Sequence, residues 1–340
     1  MPIRWLRFVI LILLFTHLTN QYSPVVSFIT VTSIANAYCK CMKTWTKKMK
    51  TSVLTVAVLA GISIATMATA AVVHATSRSL PSSPTYIALG DSIAAGAGLP
   101  LATSASNEDA LCARSSQSYP NLLASKLGTG VTNLACSGAK DSDGIIDAQQ
   151  LSSVTIPSQL DRAFQNGTPD LLTITVGAND VRWVQFISKC YVDTCGTLKD
   201  TASAATFLTA LQGKLAYTLR QIKERSGSHT PPKVLLTGYF YPISSTSCLG
   251  GQVTNTELRW INAQTDNLNK AIRQTVTATT KISSWFKGTY NFATYVPITF
   301  SGHGLCSKDS WVQGLGDPAP LHPTVAGEAA IASQLYAQIK

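Results

Sequence analysis

The stretch Thr85-Tyr86-Ile87-Ala88-Leu89-Gly90-Asp91-Ser92-Ile93-Ala94-Ala95-Gly96 decides how the rest of the chain is interpreted. It begins with an apolar run of strand character, breaks at Gly90, and places a serine just past the predicted strand end. Open α/β sheets bind their ligands in the crevice at the carboxyl ends of their strands. On a tight turn there, Ser92 would present its hydroxyl outward while its own N–H faces a substrate. The trio of residues 90–92 is short, so its interpretation depends on the motifs further along the chain.

Predicted strands and helices alternate after this point. Residues 171–176 form a nearly continuous apolar run, as expected of a strand buried on both faces. The helix opened by Thr254 has the spacing of a capping box with Glu257. Further strands are predicted over residues 130–136, 233–241 and 292–298, and further helices over 119–127, 156–164, 203–225 and 323–339. This alternation predicts a single domain over residues 85–340, an α/β fold with a central, mostly parallel sheet between two helical layers.

Residues 1–75 have a different composition from the remainder. They contain seven of the 27 basic residues and no Asp or Glu, which leaves 20 basic against 17 acidic residues in the remainder, a formal charge of +3 instead of +10. The basic balance therefore gives no reason to predict a nucleic-acid partner. Four lysines between residues 43 and 50 precede an uncharged apolar segment, 53–73, and the small-residue site Val73-His74-Ala75. These features are typical of a secretory signal peptide.

We expect the body of the protein to lie outside the cell, because the lysines would hold the preceding end in the cytoplasm. The apolar segment 53–73 is also long enough for an uncleaved membrane anchor. Residues 1–48 would lie upstream of the true start, since Met49-Lys50 by itself would open a well-formed signal peptide. The Ser/Pro-rich residues 76–84 are interpreted as a linker.

The eight cysteines are divided between the leader and the predicted domain. Cys39 and Cys41 belong to the leader, and the other six are an even set in an exported domain, which favours disulfides. No C-x-x-C pair or histidine cluster accompanies them, so a structural zinc site is not predicted. The connectivity is not fixed by the sequence alone. Grouping along the chain suggests the pairs Cys112–Cys136, Cys190–Cys195 and Cys248–Cys306.

Four residues at predicted strand ends or at a helix start are candidates for chemistry: Ser92, Gly138, Asn179 and His322. Each of the last three also has a simpler structural interpretation. Gly138 suits a turn, Asn179 suits a helix cap, and His322 before a proline suits a helix start. Their joint occurrence in this order favours a common site.

The order is that of the SGNH hydrolases, also called GDSL esterases/lipases, and the chain resembles this family over about residues 85–340. The matching motifs are Gly90-Asp91-Ser92, Asn133-Leu134-Ala135-Cys136-Ser137-Gly138, Gly177-Ala178-Asn179-Asp180 and His322-Pro323. Within the family the chain is most like the secreted, three-disulfide esterases/lipases of actinobacterial type. The resemblance implies a flavodoxin-like, three-layer fold with about five strands.

The resemblance also implies a mechanism. Acyl transfer needs a nucleophile, a base beside it, and donors aimed at the developing oxyanion. Ser92 would attack the ester carbonyl, His322 would act as general base, and the oxyanion would be held by the N–H groups of Ser92 and Gly138 and by the Asn179 side chain. No metal or other cofactor is expected. The substrate would be a lipid or small acyl ester, and the protein a monomer that meets membranes only through its leader or a lipid substrate.

One departure from the family pattern concerns the group that orients the histidine. The family places an Asp three residues before it, where this chain has Ala319, and the nearest acid is Asp317. Either Asp317 orients the imidazole across a wider loop, or a main-chain carbonyl does so, that of Ala319 being the candidate. Among the histidines beyond the leader, His303 competes with His322 for the role of base, whereas His229 is expected to be solvated.

Two other functions fit the same fold. An acyltransferase would pass the acyl group to an alcohol instead of water, and a surface-bound binding protein would keep the fold without turnover. The polar groups needed for catalysis are all present, which disfavours the binding protein. The sequence leaves open the acyl-chain length of the substrate and its alcohol part.

Overall fold

Seven strands lie in the part of the chain that the computed structural model describes, residues 79–102, 104–283 and 292–340. They are β1 (Tyr86–Gly90), β2 (Val131–Asn133), β3 (Gln149–Leu151), β4 (Val154–Ile156), β5 (Leu171–Thr175), β6 (Lys233–Thr237) and β7 (Ala293–Val296). Five of them form one sheet in the order β2-β1-β5-β6-β7, and every neighbouring pair is parallel. Strands β3 and β4 form a separate antiparallel hairpin.

The helices in this part of the chain are α1 (Ser92–Ala95), α2 (Asn107–Leu111), α3 (Tyr119–Leu127), α4 (Gln159–Phe164), α5 (Trp183–Val192), α6 (Leu198–Ser226), α7 (Asn255–Ser283) and α8 (Val325–Tyr336). Helix α6 packs against α7, and α3 packs against α8. The chain moves toward one edge of the sheet from β1 to β2 and toward the other edge from β5 through β6 to β7. Because parallel crossovers are right-handed, these two directions place the connecting helices on opposite faces of the sheet. The α/β fold with helices on both sides of a five-stranded parallel sheet is thereby confirmed.

In open parallel α/β sheets, ligands bind at the carboxyl ends of the strands where the strand order reverses, which here are the ends of β1 and β5. The chain leaves β1 toward one edge of the sheet, and β5 then pairs with the other side of β1. This reversal of strand order is the topological switch point of a doubly wound fold. Ser92 lies two residues beyond the end of β1, and Asn179 lies four residues beyond the end of β5.

Strands β1 and β5 are buried along their whole length. Their polar members are satisfied within the core, as buried polar groups need to be. The hydroxyl of Tyr86 lies 2.8 Å from that of Thr173, and Thr175 lies 2.8 Å from the Tyr119 hydroxyl and 2.7 Å from the Thr237 hydroxyl. The ends of both strands are therefore fixed by hydrogen bonds as well as by packing.

Some elements differ from the sequence-based predictions. Helix α5 was not predicted, because its N-cap residue makes no side-chain hydrogen bond to the helix. The β3–β4 hairpin was not predicted either, because each of its strands is only three residues long. The last helix begins later than predicted, because Thr324 caps it by accepting from Gly327 N–H. The capping box of Thr254 and Glu257 is present.

The expected leader, with its signal peptide or membrane anchor, and the start of the linker lie outside the described residues. Within residues 79–102, 104–283 and 292–340, no helix is both long and apolar enough to cross a bilayer. All of these residues belong to one compact unit.

Candidate active site

The Ser92 turn is fixed by its two preceding residues. Gly90 has φ +148°, and a Cβ there would lie 2.5 Å from the carbonyl oxygen of Thr175, so only glycine fits. Asp91 donates its N–H to the same oxygen at 2.9 Å, which holds the turn against β5. The Asp91 carboxylate caps α1 by accepting from Ile93 N–H at 3.0 Å. Ser92 is consequently held at the carboxyl end of β1 as the first residue of a helix.

A buried glutamine on α4 holds the same turn from another side. The Gln159 side chain accepts from Gly90 N–H at 2.7 Å and donates to Gly90 O at 3.0 Å. Both main-chain groups of the residue that ends β1 are thereby paired with one amide. Gln159 was not among the residues singled out in the sequence.

His322 is brought to Ser92 by the C-terminal loop. Its Nε2 lies 2.7 Å from Ser92 Oγ, and its Nδ1 lies 3.0 Å from the carbonyl oxygen of Pro320. A neutral ring that donates from Nδ1 to a carbonyl leaves Nε2 to accept the serine proton. Burial lowers the pKa of His322, and the carbonyls of Pro320 and Ala319 partly oppose that shift. At neutral pH the imidazole is therefore mainly in the form that can accept a proton.

The acid considered as the orienting group has a different partner. Asp317 Oδ2 accepts from Gly314 N–H at 2.6 Å and so closes a turn within its own loop. The carbonyl of Ala319, the other candidate, accepts from the main-chain N–H of His322 at 3.2 Å. Leu321 has φ +67°, which folds the chain back and brings the carbonyl of Pro320 to Nδ1. The carbonyl within hydrogen-bond distance of Nδ1 is that of Pro320, and the carbonyl of Ala319 also acts on the ring by raising its pKa.

A second buried glutamine, Gln313, holds the histidine loop in place. Its Nε2 donates to Ala97 O at 2.9 Å and to Pro323 O at 2.8 Å, and its Oε1 accepts from Ala319 N–H at 3.3 Å. Its main-chain N–H donates to His322 O at 2.7 Å. One side chain therefore links the segment after Ser92 to both ends of the loop that carries His322. Nothing in the sequence indicated this residue.

The three expected oxyanion donors differ in how they are engaged. The N–H groups of Ser92 and Gly138 have no hydrogen-bond partner among the described residues. Gly138 has φ +82°, a conformation that favours glycine. Asn179 Nδ2 donates to Ala139 O at 2.9 Å, which uses one of its two amide hydrogens. This bond joins the loop after β2 to the turn after β5.

A tyrosine connects the serine turn with the asparagine turn. The Tyr239 hydroxyl donates to Asp91 Oδ2 at 2.6 Å and accepts from Ala178 N–H at 3.2 Å. Burial raises the pKa of Asp91 to about 7, although the bonds from Tyr239 and Ile93 counter the shift. Tyr239 lies just beyond β6, and so three neighbouring strand ends are linked through one hydroxyl.

The described residues contain two other histidines, His229 and His303. His303 Nδ1 lies 2.8 Å from the carbonyl oxygen of Asp309, and its ring stacks on Trp311 with centroids 3.8 Å apart. His229 is exposed, in the loop before β6. His322 is the histidine that the structure brings to Ser92.

The three disulfides join the cysteines in the order suggested by their grouping: Cys112–Cys136, Cys190–Cys195 and Cys248–Cys306. The first stands two residues before Gly138. Ser137 N–H also donates to Cys112 O at 3.0 Å, and Cys136 N–H donates to Gly90 O at 3.0 Å. The loop that carries Gly138 is thus attached to the serine turn and to the chain around Cys112.

Comparison with known proteins gives a family match and similar lipases. The model of the GDSL-like Lipase/Acylhydrolase family matches residues 88–330. A lipase of Streptomyces rimosus is 32% identical over 251 residues, which cover 72% of this chain and 82% of that protein. Lipase 1 of Streptomyces coelicolor is 29% identical over 252 residues, with the same coverage of 72% and 82%.

Two solved structures resemble the fold over nearly their full length. The extracellular lipase of Streptomyces rimosus superposes with a TM-score of 0.58 at 25% identity, covering 75% of this chain and 99% of that one. Phospholipase A1 of Streptomyces albidoflavus gives a TM-score of 0.56 at 27% identity, again over 75% and 99%. The chain therefore belongs to the GDSL-like lipase/acylhydrolase family, and it is a carboxylic ester hydrolase.

Proposed function

We propose that this protein is a secreted serine esterase or lipase that forms an acyl-enzyme on Ser92 with His322 as general base. The observation that carries the proposal is the 2.7 Å contact between Ser92 Oγ and His322 Nε2, two residues 230 positions apart in the chain. A nucleophile within hydrogen-bond reach of a base that is itself oriented by a third group is the arrangement expected for covalent acyl transfer.

In this mechanism Ser92 Oγ attacks the ester carbonyl while His322 Nε2 takes the hydroxyl proton. The same nitrogen then gives that proton to the leaving alcohol, and water repeats the sequence on the acyl-enzyme. The imidazolium formed in between is stabilised at Nδ1 by the carbonyl of Pro320. Asp317 is assigned no role in the reaction.

The oxyanion of each tetrahedral intermediate would be held by three donors. Two are the N–H groups of Ser92 and Gly138, and their lack of partners among the described residues supports the assignment. The third is the remaining amide hydrogen of Asn179, whose direction is fixed because the other amide hydrogen is bonded to Ala139 O. Removing one such donor typically lowers kcat by roughly 10²–10³-fold.

Lipid esters are the substrate class that the relatives support. Their names are those of lipases and of a phospholipase A1, and one of them is extracellular. We infer that this chain works as a monomer on acyl esters outside the cell, without a nucleic-acid partner, and that it meets membranes through a lipid substrate or through its leader.

Hydrolysis of p-nitrophenyl esters from acetate to palmitate tests the proposal, with Ser92→Ala beside the wild type. Ser125→Ala is the matched control, because this serine is exposed on α3 and bonds only within its own helix. We expect activity in the wild type and the control and none above background in Ser92→Ala. Equal activity in all three proteins would overturn the assignment of the nucleophile. Transfer of the acyl group to an added alcohol in preference to water would establish an acyltransferase.

The export of the protein is a separate proposal. We infer that residues 49–75 direct secretion and that cleavage follows Ala75. N-terminal sequencing of protein recovered from the culture medium should begin at Thr76. Recovery of the whole activity in the membrane fraction, with an intact leader, would show an uncleaved anchor instead.

A further inference from the structure

A recess of about 490 Å³ has Asn179 in its wall. The rest of its lining includes Lys140 from the loop after β2, Asp180 and Arg182 from the turn after β5, and Phe207 and Lys214 from α6. Asn179 is bonded to Ala139, the residue before Lys140. The recess therefore adjoins the position proposed above for the oxygen of the reacting carbonyl.

The charge that faces this recess is positive. Lys214 Nζ pairs with Asp180 at 2.9 Å, and the Asp180 side chain is only 2% exposed, so this pair is internally balanced. Lys140 Nζ stands 3.5 Å from Asp143, and both side chains are nearly half exposed, where an ion pair is weak. Arg182 has no carboxylate partner in the described part of the chain, and its guanidinium lies 4.9 Å from the centre of the Phe207 ring.

Arg182 stands where local preferences oppose an arginine. It is the N-cap of α5 with φ 57° and ψ 38°, a left-handed conformation that is uncommon for residues with a side chain. Asn, Asp, Ser and Thr are preferred at this position because they cap the helix, and Arg182 makes no such bond. A cation at a helix N-terminus also meets the positive end of the helix dipole. A bound anion would offset this unfavourable charge interaction.

We propose that this recess binds the phosphate of a phosphoester substrate whose acyl ester carbonyl lies at Asn179. The guanidinium of Arg182 matches two phosphate oxygens in a fork, and Lys140 adds a mobile point charge. Lys214 keeps Asp180 neutralised rather than contacting the ligand. The substrate class is an acylated glycerol phosphodiester, in which the phosphate is a few bonds from the ester. This inference rests on the proposed esterase function and specifies the substrate of the same site.

The test compares two substrates with equal acyl chains, dioctanoyl phosphatidylglycerol and dioctanoylglycerol, in the same neutral detergent micelles. The variant is Arg182→Asn, because asparagine tolerates the left-handed conformation and caps helices, so the fold should be retained. The matched control is Arg220→Gln, which removes an exposed arginine that also lies 4.9 Å from an aromatic ring, that of Tyr217. Melting temperatures of all proteins are measured alongside.

For Arg182→Asn we expect kcat/KM on phosphatidylglycerol to fall by about tenfold or more, mainly through KM, because a charge-assisted contact to phosphate is lost. Its kcat/KM on dioctanoylglycerol should stay within about twofold of wild type, since the groups that stabilise the transition state are unchanged. Arg182→Lys should recover part of the loss. An equal effect of Arg182→Asn on both substrates, or none on either, overturns the proposal.

Inorganic phosphate separates a headgroup site from a site for a free anion. It should inhibit wild-type hydrolysis of phosphatidylglycerol competitively and inhibit Arg182→Asn less. Phosphate binding that depends on Arg182 while the variant hydrolyses phosphatidylglycerol normally would identify a free-anion site and overturn the headgroup assignment. Failure of the esterase function itself would be seen separately, as ester hydrolysis that persists in Ser92→Ala.

Discussion

The carbonyl oxygen of Pro320 lies 3.0 Å from Nδ1 of His322, within hydrogen-bond distance of the imidazole. Substituting Asp317 by Asn should therefore lower kcat by less than about tenfold, because the group facing Nδ1 is unchanged. The bond from Gly314 N–H is retained by the amide oxygen, so the loop should keep its shape. Kinetics on p-nitrophenyl butyrate, with melting curves, would check this. A loss above about a hundredfold in a folded variant would return Asp317 to the mechanism.

The pH dependence of kcat/KM should show the titration of His322. Burial lowers the pKa of this histidine below its ordinary value of 6.5. The protonated ring cannot accept the serine proton, so activity should be full above pH 6.5 and fall as pH drops through the lowered pKa. Rates measured from pH 4 to 8, at pH values where the fold is intact, test the sign. Because burial raises the pKa of Asp91 in the Ser92 turn to about 7, the profile is also measured in Asp91→Asn, and an acidic limb that keeps its midpoint above 6.5 in that variant would contradict the effect of burial on His322.

Gln313 should affect turnover more than substrate binding, because it positions the loop of His322 and contacts no reacting atom. We expect Gln313→Ala to reduce kcat by roughly 10–100-fold with a smaller change in KM, as a misplaced base costs about that much. Gln334→Ala is the matched control, since Gln334 also bridges main-chain groups, those of Thr299, outside the site. Similar kinetics for both variants would refute a positioning role for Gln313.

Glu328 is a buried carboxyl that should reduce stability at neutral pH. Its Oε2 accepts from Tyr119 N–H at 2.6 Å, and its Oε1 has no hydrogen-bond partner among the described residues. Burial raises its pKa well above 4.5, with Asp91 adding repulsion, so the folded state keeps the proton that the unfolded chain loses. Its contribution to stability is therefore greatest below pH 4.5 and declines as pH rises toward the folded pKa.

Glu328→Gln should remove the loss of stability at rising pH, because glutamine does not ionise. Its amide oxygen can still accept the hydrogen bond from Tyr119 N–H. We expect a higher melting temperature at pH 8, by roughly 2–4 °C for each kcal/mol recovered, and little change at pH 4. Glu224→Gln, at an exposed acid on α6, is the control. A melting temperature at pH 8 that is lower in Glu328→Gln than in the wild type would show that the ionised carboxylate is needed.

The sequence predicts well those features that depend on local pattern. Strand β1 ends at Gly90, the mostly apolar run of β5 is followed closely by Gly177, and helix α3 has a periodic apolar face, so their positions follow from burial and spacing. Ser92 and Asn179 are predictable as neighbours because parallel strands bring their carboxyl ends to one edge.

The remaining features depend on contacts between distant parts of the chain. The carbonyl of Pro320 reaches the imidazole because Leu321 adopts a positive φ, which its side chain does not favour. Gln159 and Gln313 bond to main-chain atoms 69 and 216 positions away, and a glutamine carries no pattern that indicates such a partner. Helix α5 begins at Trp183, and its N-cap residue, Arg182, lacks the side-chain hydrogen bond that usually marks a helix start.

The disulfide between Cys112 and Cys136 makes the geometry of the Gly138 loop depend on oxidation. Cytosolic thiols are kept reduced, whereas exported proteins form disulfides. Activity assayed after reduction should be lower than after reoxidation, and equal activity would show that hydrogen bonds alone hold the loop. If the protein is exported and Gly138 is an oxyanion donor, as proposed above, a chain still inside the producing cell would lack a firmly placed donor. On that proposal the cell's own membrane lipids would be spared until the protein had left.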